Sequence, residues 1–294
     1  FLQLLKRLKE VHYEIKGKPL ISIIIPNKDH VVDLSRCIES ILQKSTYLNY
    51  EIIIVENNST ERETFEYYDK IQKKDNIQVK IYEVQGEFNY SAINNFGVKY
   101  ANGEHILLLN NDIEIISDSW LEEMLMFSQR EDVGAVGAKL YYPNNTIQHA
   151  GVILGIGGVA GHSHKYFDRS ATGYMSRCFI QQDLSAVTAA CLMMKKSVFE
   201  QVNGLDEENF KVAFNDVDLC MKIRKAGYLI VWTPYAEAYH YESISRGTED
   251  TPEKQARFKG EAEAFMIKWK KELELGDPYY NQNLTLERED FSIN

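Results

Sequence analysis

Along the chain, short unbroken apolar runs alternate with segments whose apolar positions recur every three to four residues. "LISIIIP" from Leu20, "YEIIIVENNS" from Tyr50, "IQVKIYEV" from Ile77 and "HILLLNND" from His105 read as strands. Between them, Val31 to Leu42, a polar stretch from Glu61 to Lys73 and the residues around Ser91 to Tyr100 carry helical periodicity. Continuous Ile/Val/Leu strands alternating with helices predict an α/β fold whose parallel sheet is covered on both faces. Ser117 or Asp118 is then placed to cap a helix carrying Trp120, Leu121, Met124 and Leu125. A Gly-rich stretch, "AGVILGIGGVAGHSH", spans Ala150 to His164, and "FNDVDLCMKIRKAGY" opens a further helix. The strand-like "LIVWTPYAEAYHYE" leads to a last helix expected over Pro252 to Leu275 and an irregular tail. At the other end, Phe1, Leu4, Leu5, Leu8, Val11 and Ile15 stand at helical spacing, opposite Lys6, Arg7 and Lys9. Residues 1–19 are therefore expected to form an amphipathic helix or linker, packed on a domain or lying on an anionic membrane surface.

The pattern breaks in an informative place. "HILLLNNDIEI" sets Asn110, Asn111 and Asp112 inside an otherwise apolar run. A carboxylate is not left in an apolar interior uncompensated, so a tight solvated turn, a cation or a ligand belongs there. In parallel sheets ligands collect at the carboxyl ends of the strands, and "PNKD", "ENNS" and "NND" all fall at such ends. Asp112 could ligate a divalent cation, which prefers oxygen ligands. Glu56 could accept from a ring N–H or bind ribose hydroxyls. Each alone reads equally as a turn residue; their succession points to a nucleotide site. A dinucleotide fold is excluded because "PNKDHVVDL" lacks the glycines that admit a pyrophosphate, and no Gly-Lys-Ser/Thr ending marks a P-loop.

Composition narrows the partners. The 294 residues suffice for one large or two small domains, with 44% hydrophobic and 26% charged residues. A net charge of −10 argues against nucleic acid. No apolar run approaches the roughly 20 residues that span a bilayer. Cys37, Cys178, Cys191 and Cys220 form no CxxC pair and are expected as buried free thiols in a reducing compartment. The chain starts at Phe1 without Met, which raises the expectation of a larger multidomain chain.

Four stretches, "ISIIIPNKD", "IIIVENNST", "GEHILLLNNDIEI" and "FNDVDLCMKIRKAGY", resemble in order the motif series of family 2 glycosyltransferases of the GT-A fold. "YHYESISRG" and "KWKKELELGDPYYNQNL" resemble the bacterial rhamnosyltransferase and polysaccharide-building branch, so the likeness runs from about Leu20 to Leu284. It implies a GT-A domain over 20–250, with a donor half over about 20–117 and an acceptor half over about 118–247, followed by a C-terminal helix and tail over 251–294. Asp112 matches the last, metal-binding Asp of the family's DxD motif, with Asn110 and Asn111 in place of carboxylates. His240 matches a second metal ligand, and the implied cofactor is Mn2+ or Mg2+. Glu56 stands where an Asp reads uracil or thymine; Pro26, Asn27, Lys28, Asn58 and Asn111 line the donor loops. Arg246 would clamp the diphosphate. "NDVD" matches the element that holds the catalytic base, which makes Asp216 the base, with Asp218 as its acidic neighbour or a helix cap.

The resemblance thus implies inverting, metal-dependent transfer of a sugar, rhamnose first among candidates, from a thymidine- or uridine-diphosphate donor. The acceptor would be a glycan or lipid-linked glycan of a bacterial surface polysaccharide, met in the cytoplasm or peripherally at the inner face of the membrane. The Gly-rich stretch is expected as a mobile loop over the site, with Tyr141, Tyr142 and Tyr166 available to stack on sugars and His162 and His164 as weak zinc candidates. A catalytically degenerate nucleotide-sugar or carbohydrate binding module is the alternative, permitted by Asn110, Asn111 and Asn215; a retaining transferase is the other.

Overall fold

The computed structural model describes residues 10–83, 87–241 and 251–294. Strands β1 (Ile21–Asn27), β2 (Tyr50–Glu56), β3 (Ile77–Ile81) and β4 (His105–Leu109) alternate with helices α1 (Val31–Lys44), α2 (Arg62–Ile71) and α3 (Tyr90–Val98). Then come β5 (Ile113–Ile115), α4 (Trp120–Ser128), β6 (Val133–Tyr141), β7 (Ile147–His149), β8 (Val152–Leu154), β9 (Ala160–His162), β10 (Gln182–Leu184) and β11 (Cys191–Lys195). Helices α5 (Lys196–Gln201) and α6 (Asn215–Lys225), strand β12 (Leu229–His240), and helices α7 (Pro252–Lys268) and α8 (Lys270–Leu275) complete the order. The main sheet runs β3-β2-β1-β4-β11-β6-β12-β10, with β5 added to β12 and β7 to β6.

The sheet is parallel through β3, β2, β1 and β4, as the continuous apolar strands require, and turns antiparallel at β11. Strand alternation divides the core. Ile21, Ile23 and Ile25 meet Leu34, Ile38 and Ile41 of α1 on one face, while Ile24 belongs to the opposite layer with Ile93 of α3. Gly97 lets α3 sit close: a Cβ there would lie 2.5 Å from Ile24 Cγ2 and 2.7 Å from Val55 Cγ2. Gly97→Ala is expected to cost about 1–3 kcal/mol through overpacking, read as a lower urea midpoint at unchanged slope.

Several boundaries differ from expectation. Residues 10–20 carry no helix; Val11 instead exchanges main-chain bonds with the Gln181 side chain. Residues 1–9 lie outside the described residues. Helix α4 is capped at Ser119 without a side-chain bond, because Ser117 Oγ accepts from the Glu237 N–H at 2.9 Å. The last helix breaks at Trp269, whose indole is drawn to Asp218. The Gly-rich stretch is an ordered antiparallel hairpin, β8–β9, where an open loop was expected. The tail is irregular yet packed: Leu284 and Phe291 are buried with Ile153 and Ile156 of the hairpin. Asp277 accepts from the Leu154 N–H at 2.8 Å, and the His164 N–H donates to the Glu289 carbonyl at 2.8 Å. All four cysteines are buried and free. Among the described residues no helix is long and apolar enough to cross a membrane.

Candidate active site

The polar interruption after β4 is a tight turn. Its first residue donates from N–H to the Ala190 carbonyl at 3.0 Å, and the chain returns as β5. Strand β5 pairs with the end of β12 in a register that sets Ile113 opposite His240. That register places His240 beside Asp112, with Nε2 3.2 Å from Oδ1. Both side chains are buried, at 7% and 5% exposure. His240 Nδ1 lies 2.8 Å from Gln148 Oε1, an acceptor, so Nδ1 carries the proton in the neutral ring. The Nε2 lone pair is thereby turned toward Asp112 Oδ1 and the Asn110 amide nitrogen, 3.2 Å away.

This donor set fits a divalent cation. An imidazole lone pair and a carboxylate oxygen at 3.2 Å repel unless a proton or a cation lies between them. Two ligand atoms bound at about 2.1 Å and at right angles stand about 3 Å apart, so the spacing suits adjacent positions on one ion. Gln148 does for the ring what second partners do at metal sites generally, fixing tautomer and orientation. Nearby, burial and then the charge of Asp112 push the Cys37 thiol well above its ordinary range.

Asp216 occupies the first turn of α6, half-buried. Its Oδ2 accepts from the Ala189 N–H at 3.2 Å and its Oδ1 from the Val217 N–H at 2.8 Å. The Thr188–Ala190 segment joins the two corners: the Tyr90 hydroxyl reaches the Ala189 carbonyl at 3.2 Å and Asn110 Oδ1 at 3.1 Å. His240, Asn110, Gln148 and Asp216 line one cavity of about 210 Å³, walled by His162 and Gly161 of the hairpin. Asp112 is not part of that lining and reaches it through its contact with His240.

Other expected site residues sit differently. Asp218 is corrected: it is fully buried and turned from the cavity, with Lys268 Nζ and Trp269 Nε1 each 2.8 Å from Oδ1. It anchors the last helices and cannot meet substrate. Glu56 lies at the end of β2, where it was placed. Its carboxylate, 3% exposed, accepts from the Ser59 N–H at 2.5 Å, the Ser59 hydroxyl at 2.6 Å and the Tyr68 hydroxyl at 2.6 Å. Of about four lone-pair positions on a carboxylate three are filled internally, so Glu56 shapes the loop and keeps one position for a further donor. Asn111 Nδ2 donates to Asn27 Oδ1 at 2.7 Å, and these two buried amides tie the ends of β4 and β1 together. Pro26 is half-buried, and Lys28 and Asn58 are exposed on the two neighbouring loops. Arg246 lies outside the described residues.

Of the tyrosines expected to meet sugars, Tyr142 and Tyr166 stack at 5.3 Å with 11° between planes, whereas Tyr141 is buried. His162 and His164 diverge. His162 pairs with His149 through Nδ1 atoms 3.0 Å apart, and burial, then His162 and His240, drive His149 well below the usual range. His164 stacks on Phe291 at 4.4 Å and accepts from the Tyr174 N–H at 3.0 Å; burial lowers its pKa to about 4. The two rings thus take different partners. Sequence reasoning missed Gln148, Tyr90 and Tyr68. Only Gln148 left a trace, as a polar residue within the short strand "IQH".

The model of the family described as "Glycosyl transferase family 2" matches residues 22–202. The chain belongs to glycosyl transferase family 2. It is 39% identical to the O-antigen biosynthesis protein RfbC of Myxococcus xanthus, across 96% of this chain and 22% of that protein. A shorter stretch is 40% identical to N-acetylglucosaminyl-diphospho-decaprenol L-rhamnosyltransferase of Mycobacterium tuberculosis, over 21% of this chain and 20% of that one. The curated relatives that this chain matches over 96% of its own length are far longer, and it spans 31% and 22% of two of them. The mannosyltransferase PcManGT of Pyrobaculum calidifontis, solved with GDP-Man and Mn2+, superposes with a TM-score of 0.61 at 13% identity, covering 92% of this chain and 69% of that one. That likeness establishes the GT-A fold for this member of the family.

Proposed function

We propose that the chain is an inverting, divalent-cation-dependent glycosyltransferase that moves a sugar from a nucleoside-diphosphate donor to a glycan hydroxyl during synthesis of a bacterial surface polysaccharide. The observation that carries the reading is one cavity bordered by both His240, in contact with Asp112, and Asp216. Asp112 and His240 would hold the cation, which when bound supplies Lewis-acid neutralisation of charge on a leaving diphosphate. Asp216 accepts the proton of the acceptor hydroxyl as that oxygen bonds to the anomeric carbon and the sugar–phosphate bond breaks. A carboxylate is too weak to deprotonate a free alcohol beforehand, so proton transfer and bond formation go together. A single displacement from the face opposite the leaving group inverts the anomeric carbon. Residues up to about 117 form the donor half and those that follow the acceptor half.

Rhamnose as the donor sugar and a lipid-linked glycan acceptor at the inner membrane face rest on the sequence resemblance and on the names of the two relatives. The Asn residues that permit a degenerate binding module are all engaged internally: Asn110 with His240 and Tyr90, Asn111 with Asn27, and Asn215 with the Val212 carbonyl. Their presence supports an adapted site over a decayed one.

The test is nucleoside diphosphate release from thymidine-diphosphate rhamnose and uridine-diphosphate hexoses, with and without Mn2+. Release dependent on Mn2+ is expected with one donor, and product NMR should show an inverted anomeric centre. His240→Ala should weaken Mn2+ activation by more than about tenfold, since even an outer partner of a ligand is worth that much. Donor binding without any release would favour the binding module.

A further inference from the structure

Residues 10–16 cross the domain as a strap whose main chain is gripped by two glutamine side chains. Gln181 accepts from the Val11 N–H at 3.0 Å and donates to its carbonyl at 3.1 Å. Gln129 accepts from the Lys16 N–H at 2.9 Å and donates to the Glu14 carbonyl at 2.8 Å. Tyr13 lies edge-on to Phe127 of α4 at 5.5 Å and under the Arg130 guanidinium at 4.6 Å. In a non-helical, extended run the residues flanking Val11 project to one side. Glu10 and His12 therefore come together, with His12 Nε2 3.3 Å from Glu10 Oε1.

Both face Glu123 of α4, and one ligand-type atom from each of the three residues lies within 4.8 Å of the others. Glu123 is only 7% exposed, and its Oε2 has no hydrogen-bond partner. An ionised carboxylate removed from water and left without a donor is costly, and a second carboxylate beside it adds repulsion. Burial first, and then Glu10, push the Glu123 carboxyl up to about 7, with His12 acting in the opposite sense. The ordinary remedies are a shared proton or a cation. One imidazole and two carboxylates are a ligand set that zinc accepts, with water in the fourth position, and zinc outranks manganese at such a site.

We propose that Glu10, His12 and Glu123 form a second divalent-cation site, of zinc type, that clips the strap to α4. It is separate from the Asp112–His240 corner and independent of the transferase reading. Zinc uptake by the metal-free chain of residues 1–294 tests it. In an Asp112→Asn background, which weakens the other corner, equilibrium dialysis should show one zinc per chain. His12→Ala, at an exposed position that folding does not need, and Glu123→Gln should each weaken that uptake by more than about tenfold. Zinc should also protect the Lys16–Gly17 bond from trypsin in the Asp112→Asn chain and not in its His12→Ala derivative. Absence of stoichiometric zinc in the Asp112→Asn chain overturns the site and leaves a proton between Glu10 and Glu123. Uptake unchanged by both substitutions also overturns it, by assigning the ion elsewhere.

Discussion

Asp216→Asn is expected to lower the turnover of sugar transfer by about 10²- to 10⁴-fold, the usual worth of a positioned general base, with donor affinity nearly unchanged. The amide is close in shape to the carboxylate and its oxygen can still accept from Val217 or Ala189, so the start of α6 should keep its conformation. What it loses is the capacity to take a proton. Because Asp216 is bonded to the Ala189 and Val217 amides while the cation would be held by Asp112 and His240, calorimetric titration with donor and Mn2+ should give a dissociation constant close to that of the parent. Turnover and donor binding lost together would contradict the assigned role.

Asp218→Ala should cost about 3–5 kcal/mol of stability, the range for removing one partner of a buried ion pair. Asp218 is 0% exposed and meets Lys268 Nζ at 2.8 Å, Lys222 Nζ at 3.7 Å and the Trp269 indole N–H at 2.8 Å. Truncation strands the buried Trp269 indole donor and removes the shared anion of Lys268 and Lys222. Lys268 keeps Asp206, 2.9 Å away, which holds the loss within that range. Urea unfolding followed by tryptophan fluorescence measures it, since Trp269 reports on this contact. A change under about 1 kcal/mol, as for a solvated pair, would show that Asp218 does not brace the last helices.

The contrast between these two aspartates shows what a sequence can and cannot disclose. Two positions apart on a helix of 3.6 residues per turn, side chains diverge by about 200°. Only one of the pair can face the cavity; the family motif pointed to Asp216, while the distant lysine that holds Asp218 left no mark in the sequence. The strands were legible because unbroken Ile/Val runs suit a sheet buried on both faces, and the strand-end clusters followed from where parallel sheets bind ligands. The Asp112–His240 pairing depends on the register of β5 against β12, set by residues far apart in the chain, and only the family resemblance anticipated it. The internal partners of Glu56, namely Ser59 and Tyr68, were not legible. A hydroxyl on a neighbouring helix leaves no mark beside "ENNS". The hairpin misled for another reason: glycines suggested looseness, and the residues that order it arrive from the tail.

That tail sets the practical limits of the catalytic unit. Leu284 and Phe291 cover Ile153 and Ile156, and Asp277 holds the Leu154 amide. A fragment trimmed after the last helix would uncover the hairpin that also borders the cavity shared by His240 and Asp216. Shortened or swapped versions of this enzyme are therefore expected to need the final stretch through Phe291 to hold that wall in place.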